Sequence, residues 1–223
     1  MKILKTAIAA AFVAATIADP AVADPIQWSS GTGGNDHYYE AIRGANFINW
    51  EDARAAAAAK GYLGMQGYLV TITSEAENAF ITANFNPDWG DIHPSYWIGA
   101  SDSGEEGVWK WMTGPEAGTQ FWQGNALGST TGPFNYANWL ASEPNDWTSG
   151  GGEDYALIAF NGSPVGAWDD VPLNAYDQFS RSYVVEYGAP PIPEPESYAM
   201  LLAGLGLLGF AARRRKLKET ASA

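Results

Sequence analysis

Between Glu143 and Asp170 the chain carries six carboxylates and no basic side chain. Oxygen donors at that density suit a hard cation, since Ca2+ takes about six to eight oxygens from carboxylates, amides, backbone carbonyls and water. Carboxylates that converge without a cation repel one another. The plain alternative is a solvated acidic loop, which is what most charge runs are. Paired carboxylates such as Glu143 and Glu153 could also serve glycoside hydrolysis. Nothing in the sequence moves either of them toward acid duty, so no enzyme is expected. The two histidines, His37 and His93, have no partner at a metal-ligand spacing, which argues against Zn2+. The chain has no cysteine, and this removes thiol nucleophiles, thiolate metal sites and disulfides together.

Composition narrows the partners. The 223 residues have a formal net charge of −13. Seven of the twelve lysines and arginines lie near the ends, which leaves residues 24–192 with Arg43, Arg54, Lys60, Lys110 and Arg181 against twenty-one carboxylates. Binding DNA or RNA requires many neutralised phosphates, and a body this acidic repels them. Acidity can accompany disorder, but all ten tryptophans lie in this middle segment, so it must fold around a core. A single domain of this length buries roughly two thirds of its unfolded surface.

The elements that must position the acidic loop are legible in part. Asn49 can cap a helix over Trp50 to Lys60, with Glu51 and Asp52 in the first turn and Gly61 as the stop. Ser74 and Glu77 have capping-box spacing for a second helix ending near Asn84, before Pro87. Tyr68 to Ile72 reads as a strand between them. Short β-like runs follow at Tyr96 to Ala100, Val108 to Met112, Tyr155 to Phe160, Ala167 to Asp170 and Tyr183 to Glu186. Helices first and strands later indicate an α+β class. About forty residues between Met112 and Tyr155 carry little regular signal, and loops of that length are usually functional.

The ends read as addresses. Residues 1–23 have Lys2 and Lys5, an apolar run from Ala7 to Ile17 and Ala21-Val22-Ala23, the form of a secretory signal peptide cleaved before Asp24 by signal peptidase. The segment 190–218 begins with the proline-rich linker Pro190-Pro191-Ile192-Pro193-Glu194-Pro195. An apolar run of about 198–212 follows, shorter than the roughly twenty residues of a comfortable membrane helix, then a basic cluster at 213–218. This order resembles the PEP-CTERM sorting signal of Gram-negative bacteria, with Pro193, Glu194 and Pro195 as its motif. The resemblance implies a transient transmembrane anchor, recognition by an exosortase and release to the cell surface or extracellular matrix. Gly204 to Gly209 fits a dinucleotide-binding glycine pattern, but no strand precedes it, and its glycines are better read as small residues of a membrane helix.

The middle of the chain, 24–189, resembles a C-type lectin-like domain. Tyr38-Tyr39, Trp50 with Ala53, Gly67 to Ser74, and Glu75, Glu77, Asn78 and Phe80 match its first half. Trp97-Ile98-Gly99, Trp109-Lys110-Trp111 with Gly114, Asn138-Trp139, Glu143-Pro144-Asn145, Glu153-Asp154, Trp168-Asp169-Asp170 and Tyr183 to Glu186 match the second. The resemblance implies two helices, short antiparallel strands, paired terminal strands and a long Ca-binding loop region. It implies Glu143, Asn145, Glu153, Asp169 and Asp170 as Ca2+ ligands and a cis bond before Pro144. It also implies that the ion and its ligands Glu143, Asn145, Glu153 and Asp169 hold a vicinal pair of sugar hydroxyls of the mannose type. Trp147 could add a stacking face for the ring.

Two departures stand out. The family usually has asparagine at the place of Asp169, and a carboxylate cannot donate the amide hydrogen bond that asparagine gives a sugar. Tyr155 and Val185 stand where disulfide partners are common, so aromatic packing and the ion must supply that rigidity. The expected function is that of an exported carbohydrate-binding protein of the cell surface or matrix, Ca2+-dependent, with extracellular polysaccharide as partner. The alternative is a non-catalytic adhesion module with protein partners, in which Ca2+ only stiffens the loop.

Overall fold

The computed structural model describes residues 24–44, 46–85, 95–147, 152–160, 164–173 and 182–188. The expected signal peptide, the expected sorting segment with Pro193, Glu194 and Pro195, His93 and Arg181 lie outside the described residues. Eleven strands are assigned: β1 Ile26–Gln27, β2 Tyr38–Arg43, β3 Gly61–Tyr62, β4 Met65–Leu69, β5 Ser95–Ser101, β6 Val108–Trp111, β7 Gln120–Gln123, β8 Ser129–Thr130, β9 Tyr155–Ala159, β10 Trp168–Val171 and β11 Ser182–Tyr187. Helix α1 spans Trp50–Ala58 and α2 spans Glu75–Asn84. The class is α+β, as expected.

Both helices start where their caps require. Asn49 accepts from the Asp52 N–H at 2.7 Å and Ser74 from the Glu77 N–H at 3.2 Å. The capping box is altered, because Glu77 reaches past Ser74 to the N–H and hydroxyl of Thr73 at 2.8 and 3.0 Å. Helix α1 stops two residues short of Lys60, whose ammonium instead lies 3.3 Å from Glu40.

The terminal strands pair as expected, with β11 antiparallel to β2 from Ser182↔Arg43 to Tyr187↔Tyr38. The sheet is not wholly antiparallel, since β11 runs parallel to β5 at Tyr183↔Trp97. The strand expected over Tyr68 to Ile72 lies earlier, at β4. It leaves a two-residue turn at Leu63-Gly64, both at positive φ, and pairs with β11 as far as Leu69↔Val185. One further backbone bond follows, from the Val70 N–H to Val184 at 3.0 Å, and the next N–H, that of Thr71, is taken by the Glu186 side chain at 3.1 Å. The stretch after Met112, expected to be irregular, contains β7 and β8, which extend the sheet beyond β6.

Strands β5, β9 and β11 are buried on both faces, and their alternation divides the core. Trp97, Tyr155, Leu157, Ala159, Tyr183 and Val185 face α1, where Trp50, Ala53 and Ala57 complete one cluster. Tyr96, Ile98, Ala156, Ile158 and Val184 face the other way, toward Ile81 of α2 and the aromatics Trp109, Trp111, Phe121 and Trp168. The two disulfide-type positions carry packing instead. The Tyr155 ring sits 5.0 Å from that of Trp50, and Val185 is fully buried. Glycine is required at Gly99, where a Cβ would stand 2.1 Å from the Thr113 hydroxyl and 2.8 Å from the Leu69 carbonyl.

Candidate functional site

The acidic residues are positioned by one aromatic anchor. Trp168, fully buried at the start of β10, packs its ring 5.6 to 5.9 Å from those of Tyr136, Trp111, Trp139 and Phe121 and donates to Asn78 of α2 at 2.9 Å. Asp169 and Asp170 follow it directly, held in register against Leu157 and Ala156 of β9. The segment leading to Glu143 is laid beside this strand by an isolated parallel bridge, Trp139↔Trp168, with the Trp168 N–H donating to Asn138 and the Leu140 N–H donating to Trp168, both at 2.7 Å. Two distant pieces of sequence thereby converge.

Carboxylate oxygens of Glu143, Asp169 and Asp170 all lie within 4.8 Å of one another. The Glu143-Pro144 bond is cis, and the Asn145 side-chain amide donates to Glu143. Asp170, almost wholly buried, accepts the backbone N–H groups of Asn145 and Asp146 at 2.9 Å. Glu153 stands beside these groups rather than within that 4.8 Å set, and it accepts the Trp147 N–H at 2.9 Å. Trp147 itself is 69% exposed. Five expected ligands are therefore gathered by three pieces of chain, with the exposed Trp147 tied to Glu153 through its backbone.

The electrostatics are those of crowded anions. Burial first, then the charge of Asp170, pushes Asp169 up to about 6. Burial and the charges of Asp170, Asp169 and Asp146 push Glu153 up to about 7, against the lowering effect of the Trp147 N–H. Glu143 and Asp170 are both raised, chiefly by burial. A bound divalent cation would remove the repulsion, and the donor set, all oxygen and without a neighbouring ammonium or guanidinium in the loop, fits Ca2+.

A second group was not anticipated from sequence. Asp102, Glu106 and Asp154 also bring carboxylate oxygens within 4.8 Å of one another. Asp102 is 3% exposed, and while its Oδ2 accepts the Gly107 N–H at 2.9 Å, its Oδ1 has no hydrogen-bond partner. Burial pushes it up to about 7. Asp146 lies close to both groups, accepting the Glu153 N–H at 3.0 Å and raising Glu106 and Asp154 through its charge. The available signal was three carboxylates within five residues just after β5, at Asp102, Glu105 and Glu106.

Trp97, Trp109, Trp111 and Trp168 are core residues, and Trp139 is partly buried against Trp109 at 4.7 Å. His37 has a structural partner, Glu186, at 2.6 Å.

Comparison with known proteins gives two family matches: a lectin C-type domain over residues 47–172 and a PEP-CTERM protein-sorting motif over residues 191–216. Halomucin of Haloquadratum walsbyi is 39% identical over 170 residues, which is 73% of this chain but 2% of that protein. Lectin BRA-3 of Megabalanus rosa is 26% identical over 144 residues, 65% of this chain and 70% of that one. Among solved structures, human lithostathine superposes with a TM-score of 0.50 at 20% identity, covering 78% of this chain and 94% of its own. That last likeness bears on the fold alone.

Proposed function

The chain belongs to the lectin C-type domain family, and from that membership we propose that it is a Ca2+-dependent, carbohydrate-binding protein exported to the cell surface or extracellular matrix of a Gram-negative bacterium. Membership in a lectin domain family speaks for binding rather than catalysis. The observation that carries the Ca2+ reading is the convergence of Glu143, Asp169 and Asp170 at the end of a rigid aromatic scaffold, with Glu153 and Asn145 beside them. The partly buried Asp102 group, with its unpartnered oxygen, is the residue set we assign to a second cation.

When bound, the principal ion would supply a Lewis-acid contact for two neighbouring hydroxyls of a sugar. The chain's own residues do the rest: Glu143, Glu153 and Asp169 accept hydrogen bonds from sugar hydroxyls, and Trp147 offers an apolar face to the ring. The domain organisation we propose is a signal peptide at 1–23, the lectin domain at 24–189 and a sorting segment at 190–218 whose helix holds the protein in the membrane until an exosortase acts. Among the described residues no helix is long and apolar enough to cross a membrane, and the expected span lies outside them.

Calorimetric titration of Ca2+ into the chain, beside Glu143→Ala and Asp170→Ala, tests the reading. Heat in the parent is expected, with both variants losing the part that belongs to the principal site and keeping at most that of the Asp102 group, and the parent's melting temperature should rise on adding Ca2+, because a ligand that binds only the folded state stabilises it. Absence of both effects would leave the adhesion alternative, for which the loss of the amide donor at Asp169 is the favouring observation.

A further inference from the structure

We propose that the glycan taken by this site is cationic, a polysaccharide carrying free amines on its sugar rings. The inference rests on the lectin reading above and names its ligand class, and three observations carry it.

The first is the inventory of donors. Glu143, Glu153, Asp169 and Asp170 are acceptors only when ionised. Several donors of the described part of the loop are turned inward: the Asn145 amide donates to Glu143, the Asn145 and Asp146 N–H groups to Asp170, and the Trp147 N–H to Glu153. A ligand must therefore bring donors. A hydroxyl brings one hydrogen, and the Glu153–Asp169 side of the site presents two carboxylates to it. An ammonium brings three.

The second is charge. One divalent ion balances two of the four carboxylates around it and leaves two unbalanced. Asp102, Glu106, Asp146 and Asp154 stand next to them, and a second ion there again balances only two. No lysine, arginine or histidine occurs from Glu143 to Asp170. Uronates and sulfated sugars meet repulsion at such a face, neutral sugars leave it uncompensated, and an amino sugar offsets it.

The third is Trp147. Its indole is 69% exposed while its backbone is tied to Glu153, so an aromatic face stands beside a carboxylate. That combination attracts a cation to the ring and packs the apolar face of a sugar. Asp169 is thus the specificity-determining residue, supplying an acceptor and a charge where an asparagine would supply a donor.

The test titrates the full chain, in saturating Ca2+ at physiological ionic strength, with four probes: a glucosamine trimer, its fully N-acetylated form, a mannose trimer and trilysine. Ca2+ binding is measured separately. The glucosamine trimer should bind at least about tenfold tighter than either neutral trimer, as expected for one charge-assisted hydrogen bond. EDTA should weaken it. Asp169→Asn should bring the amine and neutral trimers within about threefold of one another when both proteins are held at Ca2+ concentrations that their separately measured Ca2+ affinities show to be saturating. Equal or tighter binding of a neutral trimer, with Ca2+ binding intact, overturns the ligand class and spares the lectin reading. Trilysine binding as tightly as the amine trimer, or amine binding strengthened by EDTA, overturns it as mere attraction between opposite charges. No Ca2+ heat and no trimer binding overturns both.

Discussion

Replacing His37 by glutamine should destabilise the protein by about 2 kcal/mol near pH 6 and by clearly less near pH 9. His37 Nδ1 lies 2.6 Å from Glu186, a carboxylate only 2% exposed in the last strand. The other Glu186 oxygen accepts the Thr71 N–H at 3.1 Å. Glu77 and Glu116 also face the imidazole, and Tyr39 and Tyr68 close the pocket from β2 and β4. Three carboxylates therefore share one cation. A charge pair at contact near a protein surface is worth on the order of 4 kcal/mol before desolvation. Because His37 is 18% exposed and a neutral glutamine can still donate a hydrogen bond, about half of that should remain as the measured loss.

The sign follows from the titrations. The Glu186 hydrogen bond raises His37 above its ordinary 6.5, so its stabilisation is fully present below that value and lost as pH rises through the raised one. Burial and Glu186 also raise Glu77 above 4.5, which acts in the same direction. Thermal melts of parent and variant at both pH values, in EDTA, check this. At about 2 to 4 °C per kcal/mol, the gap at pH 6 should be about 4 to 8 °C. An equal gap at pH 6 and pH 9 would refute the argument that the imidazolium charge is what Glu186 uses.

Three other outcomes follow from the site. Asn78→Ala removes two buried hydrogen bonds, to the Gly166 carbonyl and from the Trp168 indole, and should cost about 2 to 3 kcal/mol in denaturant melts while weakening Ca2+ binding severalfold in calorimetry. Trp147→Ala should leave the melting temperature and Ca2+ heat unchanged but lower glycan affinity about tenfold, measured by titration of the same oligosaccharide into both proteins. With Ca2+ removed, stability should fall as pH rises from about 4 through 7, because Asp169, Glu153 and Asp102 fold with raised values and lose their contribution on ionising. Ca2+ should abolish that slope and release protons, seen as heats that depend on the buffer's ionisation enthalpy.

What could be read from sequence was what is local. Asn49 and Ser74 announce their helices because a cap needs only the next three residues, and five of the later strands lie within one residue of their β-like runs. Glu143, Asn145 and Asp169-Asp170 stood out through motif order. Partners distant in sequence did not. Glu186 reads as an ordinary residue of an edge-like terminal strand, yet β2, β4 and β5 all pair with β11 and bury it. Tyr38–Arg43 lacks clean alternation because Glu40 is buried beside Lys60. The group of Asp102 and Glu106 was not legible, since its third member, Asp154, comes from a different part of the chain.

The missing disulfides and the acidic site are two sides of one arrangement. A cysteine-free domain must hold its long loop by packing, and here the packing runs through Trp168, whose ring meets four other aromatics and whose strand continues directly into Asp169 and Asp170. The same tryptophan bridges to Trp139, four residues before Glu143. The acceptors on both sides are thus fixed by buried aromatics before any ion arrives, and their mutual repulsion is carried by the core rather than relieved by loop movement. Asn145, exposed, and Glu153, set apart from the closest three carboxylates, are the ligands with the least such support. On the proposed reading a cation would gain most of its binding energy from preset carboxylates and spend some of it drawing in those two, so coupling between Ca2+ and glycan is expected at the Asn145 and Glu153 end of the site.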